Sequence, residues 1–173
     1  HLGERGAQHR LRIRLAAGAA LEIREVDGRG HEPRRETQRR LPVDLCLFIA
    51  REMASGLAYA HRRTGPKGQA LALVHCDISP PNIMVSYEGE VKVIDFGLAK
   101  SIKHTDDEDL ATLSMGGFVG TAHFASPEQL EEKEFDVRSD IYSLGVTLWY
   151  MLAGQVPFGG SLAQVMSQHL HKP

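Results

Sequence analysis

The chain has few of the residues that build disulfide frameworks and metal clusters. Its 173 residues include only two cysteines, Cys46 and Cys76, and nine histidines that form no H-E-x-x-H motif. Two thiols exclude a disulfide framework and a cysteine-rich zinc site. We therefore expect free thiols, which are typical of the reducing cytoplasm, and we predict a cytoplasmic location.

The sequence also lacks long apolar runs and a large net charge. Its most apolar stretch, residues 141–154, contains serine and threonine and has the length of a buried helix rather than of a membrane span. The sequence does not begin with a short, positively charged segment followed by an apolar stretch, so we expect neither a secretory signal nor a membrane segment. The formal charge of −2 provides no global basic field, and we predict no nucleic-acid partner.

Lysine is absent from the beginning of the chain, and the first lysine is Lys67. Residues 1–40 instead carry ten arginines and six acidic residues, a net charge of +4, whereas the rest of the chain has a net charge of −6. Alternating apolar residues predict short strands at residues 11–15 and 21–26, and residues 30–40 predict a polar loop. An arginine-rich RNA-binding tail is the alternative, which the lack of lysine and aromatic residues makes weak.

From Leu41 onward the sequence has the periodicity of a globular domain. The predicted elements are a helix from Pro42 to about Arg62, strands over residues 82–85 and 91–94 with a turn at Glu88-Gly89, a long loop over residues 95–127, and helices over residues 139–153 and 162–170. In the first helix Leu45, Ile49 and Met53 recur at helical spacing. A loop as long as the predicted one is usually functional.

Three oxygen-bearing side chains stand where the predicted hairpin begins and ends. Asp77 precedes Asn82 by five residues, with two prolines stiffening the loop between them, and Asp95 directly follows the second strand. Pairing of the two strands would bring Asn82 and Asp95 together beside Asp77. Hard oxygen ligands next to a general base are what magnesium-dependent phosphoryl transfer requires, because that chemistry depends on positioning and charge neutralisation.

Five motifs follow one another along the chain. They are His75-Cys76-Asp77-Ile78-Ser79-Pro80-Pro81-Asn82, Asp95-Phe96-Gly97, Gly120-Thr121-Ala122-His123-Phe124 with Ser126-Pro127-Glu128, Asp140-Ile141-Tyr142-Ser143-Leu144-Gly145, and Gly154-Gln155-Val156-Pro157-Phe158. With these motifs, residues 41–173 resemble the C-terminal lobe of a eukaryotic-type Ser/Thr protein kinase, and in particular its bacterial members. One such motif would be weak support, but several in order and at matching spacing are specific.

The resemblance implies an α+β fold, namely a mostly α-helical protein-kinase C-lobe with a small β-hairpin, in which the N-lobe is missing or incomplete. Residues 41–173 would then be a partial kinase domain. Residues 1–40 would be an Arg/Gly-rich head that is either disordered or a remnant of the hinge. Residues 25–28 resemble the hinge weakly.

The resemblance also assigns roles to residues of the first two motifs and the strand between them. Asp77 would accept the proton of a substrate hydroxyl, while Asn82 and Asp95 would bind magnesium and hold the nucleotide phosphates. Ser79 takes the position of a catalytic lysine, and Met84 would lie under the adenine ring, with a plain core role equally open. The implied cofactors are ATP and Mg²⁺, and the implied partner is a protein substrate with a Ser or Thr acceptor.

Two further residues receive roles in the same way. Thr121 resembles the threonine that bonds the catalytic loop and marks Ser/Thr rather than Tyr acceptors, so we count it with the catalytic residues. His75 is expected to be structural and to pack beneath Phe96, and it is not expected to act as an acid–base catalyst.

Several positions depart from the family pattern. Cys76 replaces an arginine that grips a phosphorylated loop, and the hydroxyl of Ser79 cannot supply the point charge of the usual lysine. No glycine-rich loop and no phosphate-binding lysine precede Asp77, and no late arginine is present to pair with Glu128. We therefore expect little or no activity from this chain alone.

Two other functions remain open at this stage. A pseudokinase-like module that binds a protein partner is favoured by the absent lobe and disfavoured by the intact Asp77, Asn82 and Asp95. A small-molecule kinase of the aminoglycoside type shares the spacing from aspartate to asparagine. The motifs from Gly97 onward belong to the protein-kinase pattern and disfavour that third function.

Overall fold

The computed structural model describes residues 10–15, 21–26, 36–37, 41–86, 88–96, 100–101 and 122–171. The strands are β1 (Arg10–Leu15), β2 (Leu21–Val26), β3 (Glu36–Thr37), β4 (Leu73–Val74), β5 (Ile83–Ser86), β6 (Val91–Val93) and β7 (Lys100–Ser101). The helices are α1 (Val43–His61), α2 (Pro127–Leu130), α3 (Val137–Ala153) and α4 (Leu162–His171), with a short 3₁₀ turn at Pro80–Asn82. This mixture of helices and antiparallel strands confirms the predicted α+β class.

The predicted hairpin is part of a five-stranded antiparallel sheet with the order β3-β2-β1-β5-β6. The strands predicted at residues 11–15 and 21–26 are present, and β1 pairs with β5 so that Arg12 lies opposite Met84. The sheet is thus larger than the small hairpin we predicted, because β1 pairs with the edge of β5 that the hairpin alone leaves open, and β2 and β3 extend the sheet from β1. The polar segment at residues 30–40 also contains the two-residue strand β3.

Helix α1 begins directly after Pro42 and ends one residue before the predicted Arg62. Its buried residues are Cys46, Ile49, Ala50, Met53, Leu57 and Ala60. Leu45 fits the helical spacing but is 36% exposed, because the buried face is centred on the neighbouring Cys46.

Helix α3 begins two residues earlier than predicted because Asp136 caps it. The Asp136 carboxylate accepts a hydrogen bond from the backbone N–H of Arg138 at 2.8 Å. The helix ends at Gly154, whose φ of 71° is a left-handed conformation that glycine adopts without strain. Both ends are therefore set by capping residues rather than by the apolar pattern between them.

One hydrophobic core joins α1, α3 and the β5–β6 hairpin. It consists of Leu41, Cys46, Ile49, Met53, Leu57, Ile78, Ile83, Val85, Phe124, Val146, Tyr150 and Met151. The rings of Phe124 and Tyr150 meet edge-on with centroids 6.0 Å apart. Burial raises the pKa of Tyr150 to about 12, so the phenol stays protonated. Ile78 fixes the loop around Asp77 to the same core.

Helix α4 is docked through Val165 and His169, which are both buried. The ring of His169 meets Phe158 edge-on with centroids 4.6 Å apart, and the hydroxyl of Tyr142 in α3 lies 2.7 Å from Nδ1 of His169. Among the described helices, none combines the length and the apolar character that crossing a membrane requires.

One side of α3 exposes a run of apolar residues, which we call the α3 stripe: Ile141, Gly145, Trp149 and Leu152. The three side chains of the stripe are 54%, 53% and 36% exposed, in chain order. Their spacing places them on one face of the helix. The described part of the chain leaves this face open to solvent.

Candidate catalytic site

The loop of residues 75–82, called here the Asp77 loop, is held by Asp140 of α3, which is 1% exposed. One carboxylate oxygen of Asp140 accepts the backbone N–H of His75 at 2.9 Å, and the other accepts that of Cys76 at 3.0 Å. Cys76 has a φ of 68°, a left-handed conformation that is uncommon outside glycine. The hydrogen bond to its N–H stabilises this strained residue immediately before Asp77.

His61, at the end of α1, is a third hydrogen-bond donor to Asp140. Its Nε2–H donates to the carboxylate at 2.7 Å, although the two residues are 79 positions apart. Three donors compensate the removal of the Asp140 carboxylate from water. Helix α1, helix α3 and the Asp77 loop therefore meet at one buried group.

Asp77 and Asn82 lie side by side. The side-chain amide of Asn82 donates to the backbone carbonyl of Asp77 and to its carboxylate, each at 2.8 Å. The 3₁₀ turn permits this approach, since the backbone N–H of Asn82 donates to the carbonyl of Ser79 at 2.9 Å. Because Nδ2 of Asn82 faces Asp77, Oδ1 is the atom that Asn82 offers to a cation.

Asp95 lies at the same end of the hairpin. The backbone carbonyl of Asn82 accepts the N–H of Ile94 at 2.9 Å, so the next residue, Asp95, is placed near Asn82. Asp95 is exposed and has a φ of 64°, a conformation that aspartate tolerates better than most residues. The structure thus brings to one end of the hairpin the three oxygen-bearing side chains that the sequence predicted would meet there.

His75 is fully buried and engages both ring nitrogens. Its Nε2–H donates to the carbonyl of Ile94 at 3.0 Å, and its Nδ1 accepts the backbone N–H of Asp77 at 3.2 Å. The ring meets Phe96 edge-on with centroids 4.4 Å apart. His75 therefore packs against Phe96, as we expected, and has no ring nitrogen available for proton transfer.

The structure shows fewer contacts for the remaining predicted site residues. Ser79 is 5% exposed and precedes the 3₁₀ turn. Met84 is half-buried and lies on the face of β5 opposite Ile83 and Val85, which belong to the core. Some of the predicted positions lie outside the described residues, namely Gly97, Gly120, Thr121 and residues 27–28 of the possible hinge remnant.

Sequence reasoning missed Gln129. Its side-chain carbonyl accepts the backbone N–H of Ser126 at 3.0 Å, which closes a capping box at the start of α2. Its amide donates to the backbone carbonyl of Cys76 at 2.8 Å, 53 positions away. The Ser-x-x-Gln spacing indicates the capping box, but no local pattern indicates the contact with the Asp77 loop.

Glu128 has a partner that we did not expect. The hydroxyl of Ser139 in α3 donates a hydrogen bond to the Glu128 carboxylate. Burial raises the pKa of Glu128, but the hydrogen bond from Ser139, with smaller contributions from the backbone of Glu128 and from Ser126, outweighs burial and lowers the pKa below its usual value. A serine hydroxyl therefore binds the Glu128 carboxylate, where the family pattern would place an arginine.

Comparison with known proteins identifies the family to which this arrangement belongs. A family model of the protein kinase domain matches residues 23–172. The chain is a member of the protein kinase family. This kinase is 42% identical to serine/threonine-protein kinase A of Synechocystis sp. over 123 residues, which are 69% of this chain and 23% of that protein.

Other bacterial kinases match a similar region. The kinase is 39% identical to the serine/threonine-protein kinase PknA of Corynebacterium glutamicum over 138 residues, 79% of this chain and 27% of that protein. It is 40% identical to the tyrosine-protein kinase MasK of Myxococcus xanthus over 118 residues, 68% of this chain and 18% of that protein. The matched region is thus between 18% and 27% of the length of these three relatives.

The family match begins inside the segment that we placed before the kinase domain. Residue 23 lies in β2, so the matched region includes β3 and most of β2 as well as residues from 41 onward. The domain boundary at residue 41 and a separate head over residues 1–40 stay predictions.

Proposed function

We propose that this kinase chain carries the phosphoryl-transfer site of an ATP- and Mg²⁺-dependent protein kinase that acts on Ser and Thr hydroxyls. The observation that carries the proposal is the contact of Asp77 and Asn82 at 2.8 Å, with Asp95 at the same end of the β5–β6 hairpin. A carboxylate, an amide oxygen and a second carboxylate provide a proton acceptor and two hard ligands.

Asn82 and Asp95 are the residues proposed to hold Mg²⁺. Their amide and carboxylate oxygens suit a small hard cation that takes its other ligands from water and substrate phosphates. Asp95 is exposed and Asn82 is half-buried. The amide nitrogen of Asn82 faces Asp77, which leaves Oδ1 of Asn82 as the atom that would bind the cation. The bound ion would neutralise charge on the phosphates.

Asp77 is proposed to accept the proton of the substrate hydroxyl. In the transfer step the hydroxyl oxygen forms a bond to the γ-phosphorus, and the bond from that phosphorus to the β–γ bridging oxygen breaks as ADP leaves with the electron pair. The hydroxyl proton passes to the Asp77 carboxylate, which Asn82 holds in place. His75 cannot take this role because Ile94 and the Asp77 backbone occupy its ring nitrogens.

Three finer assignments follow from the family resemblance. The buried hydroxyl of Ser79 is proposed to contribute a neutral hydrogen bond near the transferred phosphate, where a lysine would contribute a charge. Met84 is proposed to contact the adenine ring, which suits its position opposite the core face of β5. Thr121 is proposed to bond the Asp77 loop.

We expect the chain by itself to be a weak catalyst. Residues 1–66 contain no lysine, so this part supplies no ammonium group to the α- and β-phosphates. Cys76 offers no guanidinium group to a phosphorylated loop. Removing one group that stabilises transition-state charge costs about 3–4 kcal/mol in other enzymes. Nucleotide binding is therefore a sharper first test of the site than turnover.

The first test is the thermal stability of the purified 173-residue chain with ATP, with and without Mg²⁺. At ten times the dissociation constant, bound ATP should stabilise the fold by about 1.4 kcal/mol, and only when Mg²⁺ is present. Asp95→Asn should abolish this gain, whereas Asp77→Asn should keep it. Asp136→Asn is the matched control, because asparagine preserves the cap of α3. A gain that survives Asp95→Asn would contradict the proposed cation site.

The second test follows labelled γ-phosphate from ATP to peptides that differ only in a Ser, Thr or Tyr acceptor. We expect slow transfer or none, and any transfer should go to Ser and Thr and be lost in Asp77→Asn. Fast transfer that Asp77→Asn abolishes would overturn the expectation of weak catalysis. Transfer of the label to the Tyr peptide alone would overturn the proposed acceptor class. One relative is named as a tyrosine-protein kinase, so the Tyr peptide is included.

A pseudokinase-like protein-binding module is the second candidate, favoured by the lysine-free residues 1–66. Its signature would be a protein partner that binds equally with and without Mg²⁺ and ATP. Stabilisation by ATP that depends on Mg²⁺ and on Asp95 would favour the kinase site instead.

A further inference from the structure

The peptide bond between Cys76 and Asp77 is held at both of its polar groups. Its carbonyl oxygen, from Cys76, accepts the side-chain amide of Gln129 at 2.8 Å. Its N–H, from Asp77, donates to Nδ1 of His75 at 3.2 Å. A peptide bond is planar, so two contacts on opposite sides fix the rotation of the whole unit and with it the direction in which Asp77 leaves the backbone.

The contact from Gln129 comes from another part of the chain and has a defined orientation. The Cys76 carbonyl can only accept, so the amide nitrogen of Gln129 must face it. The oxygen of Gln129 then faces Ser126, whose backbone N–H and hydroxyl donate to it at 3.0 and 3.1 Å. One side chain thus caps α2 and clamps the Asp77 loop at the same time.

We propose that Gln129 is a positioning residue for Asp77, acting through the Cys76 carbonyl. The clamp is needed because the backbone of Cys76 is strained, with a φ of 68°. The contact from Asp140 is made with the N–H of Cys76, which belongs to the preceding peptide bond, between His75 and Cys76. Without Gln129, the Cys76 carbonyl loses this hydrogen bond, while the Asp77 N–H keeps its contact with His75. The inference rests on the proposed function for the role of Asp77, whereas the clamp itself can be measured without nucleotide.

Two substitutions separate the clamp from the cap. Gln129→Glu keeps an oxygen for Ser126, since glutamate also forms capping boxes, but it removes the donor to Cys76. Gln129→Lys keeps a donor long enough to reach the Cys76 carbonyl and removes the oxygen for Ser126. If Gln129 only caps α2, the lysine variant is the impaired one. If Gln129 positions the loop, the glutamate variant is impaired and the lysine variant is rescued.

The thiol of Cys76 provides the measurement, because it lies on the clamped residue, is half-buried and donates to the carbonyl of Val74. We would measure its rate of alkylation by iodoacetamide from about pH 7 to about pH 10, so that the limiting rate is separated from the thiolate fraction. Loss of one amide–carbonyl hydrogen bond should raise the limiting rate about fivefold in Gln129→Glu. Gln129→Lys should stay close to the original chain.

Two controls separate loss of the clamp from other causes of a change in the reactivity of Cys76. Gln164→Glu alters the matching capping glutamine of α4, whose oxygen accepts the N–H of Ser161 at 2.8 Å, and should leave Cys76 unchanged. Cys46 is fully buried, so its alkylation rate reports global unfolding. Unchanged Cys76 reactivity in Gln129→Glu would overturn the proposal, and so would an equal rise at Cys46.

The same variants distinguish this inference from the proposed function. Gln129 touches neither Asn82 nor Asp95 through any hydrogen bond of the described residues, so Gln129→Glu should keep the Mg²⁺-dependent gain from ATP. A chain that never binds ATP but shows the Cys76 response would refute the function and keep the clamp. A chain that binds ATP without the Cys76 response would refute the clamp alone.

Discussion

At the scale of single residues, the sequence predicted which side chains of the candidate site lie close together when they share a short segment. Asp77, Asn82 and Asp95 are joined by one turn and one hairpin, so local geometry is enough to bring them together. The residues that hold them are different. Asp140 and Gln129 lie 64 and 53 positions from Cys76, and only the packed fold places them beside it. No local pattern in one sequence indicates such pairs.

The buried carboxylate of Asp140 leads to a stability prediction. Asp140→Ala removes the acceptor for N–H groups of His61, His75 and Cys76, and the hydrogen bonds that are lost include one from the buried backbone of His75. We expect it to lower the free energy of unfolding by about 3–5 kcal/mol, measured by urea denaturation. Asp140→Asn keeps one acceptor oxygen and should cost about 1–3 kcal/mol.

Asp136 provides the comparison for that experiment because it caps the same helix from an accessible position. Its Ala variant should cost about 1 kcal/mol, the ordinary value of a helix cap. A loss no greater in Asp140→Ala than in Asp136→Ala would show that Asp140 does not organise the loop.

At the scale of elements, helix interiors were easier to predict than helix ends. Pro42 gave a clear start for α1, because proline suits the first positions of a helix. The start of α3 was placed too late, since the apolar pattern begins inside the helix whereas the cap is the polar Asp136. The short strands β3, β4 and β7 depend on their partners in the sheets, which a local pattern does not contain.

The docking of α4 predicts a dependence of stability on pH. Burial is the main cause that lowers the pKa of His169 below 6.5. The nearby His123 makes two smaller, opposing contributions, because its backbone raises that pKa and its charge lowers it. As the pH falls, His169 therefore binds a proton at a higher pH in the unfolded chain than in the folded chain. The stabilising contribution of neutral His169 is complete above pH 6.5 and is lost as the pH falls through its folded-state pKa.

Urea denaturation at about pH 7.5 and about pH 5.5 measures this effect. The groups facing His169 are Tyr142, Phe158 and His123, and burial lowers the pKa of His123 as well, so both histidines act in the same direction. His169→Phe should reduce the loss of stability on acidification, whereas the same change at the exposed His171 should not. An equal loss in all three proteins would contradict the prediction.

At the scale of the whole molecule, composition and strand pairing give different information about residues 1–40. The arginine-rich head differs in charge from the rest of the chain, which led us to treat it as a separate segment. Pairing of β1 with β5 connects it to the sheet that carries Met84. Strand pairing of this kind depends on backbone groups and on distant partners, so side-chain composition does not reveal it.

The α3 stripe predicts association of the isolated chain. Ile141 and Trp149 are each more than half exposed on one helical face, and apolar surface of this kind favours contact with another surface over contact with water. We expect the sedimentation coefficient to rise with concentration. Trp149→Arg should reduce that rise without lowering the free energy of unfolding.

Leu162→Arg is the control for this prediction, because Leu162 is 39% exposed but belongs to α4. It should leave the association unchanged. A chain that sediments as a monomer at every concentration, or a Leu162→Arg variant that dissociates as completely as Trp149→Arg, would contradict a role for the α3 stripe.

Trp149 is also the only tryptophan of the protein. Its half-exposed indole makes the fluorescence of this chain a readout of one place on the surface, since indole emission moves to shorter wavelengths when water is removed from the ring. Any molecule that covers the α3 stripe is therefore visible without a label. A nucleotide at the Asp77 loop should leave that emission unchanged, because the loop meets α3 at Asp140, about two and a half turns away from Trp149.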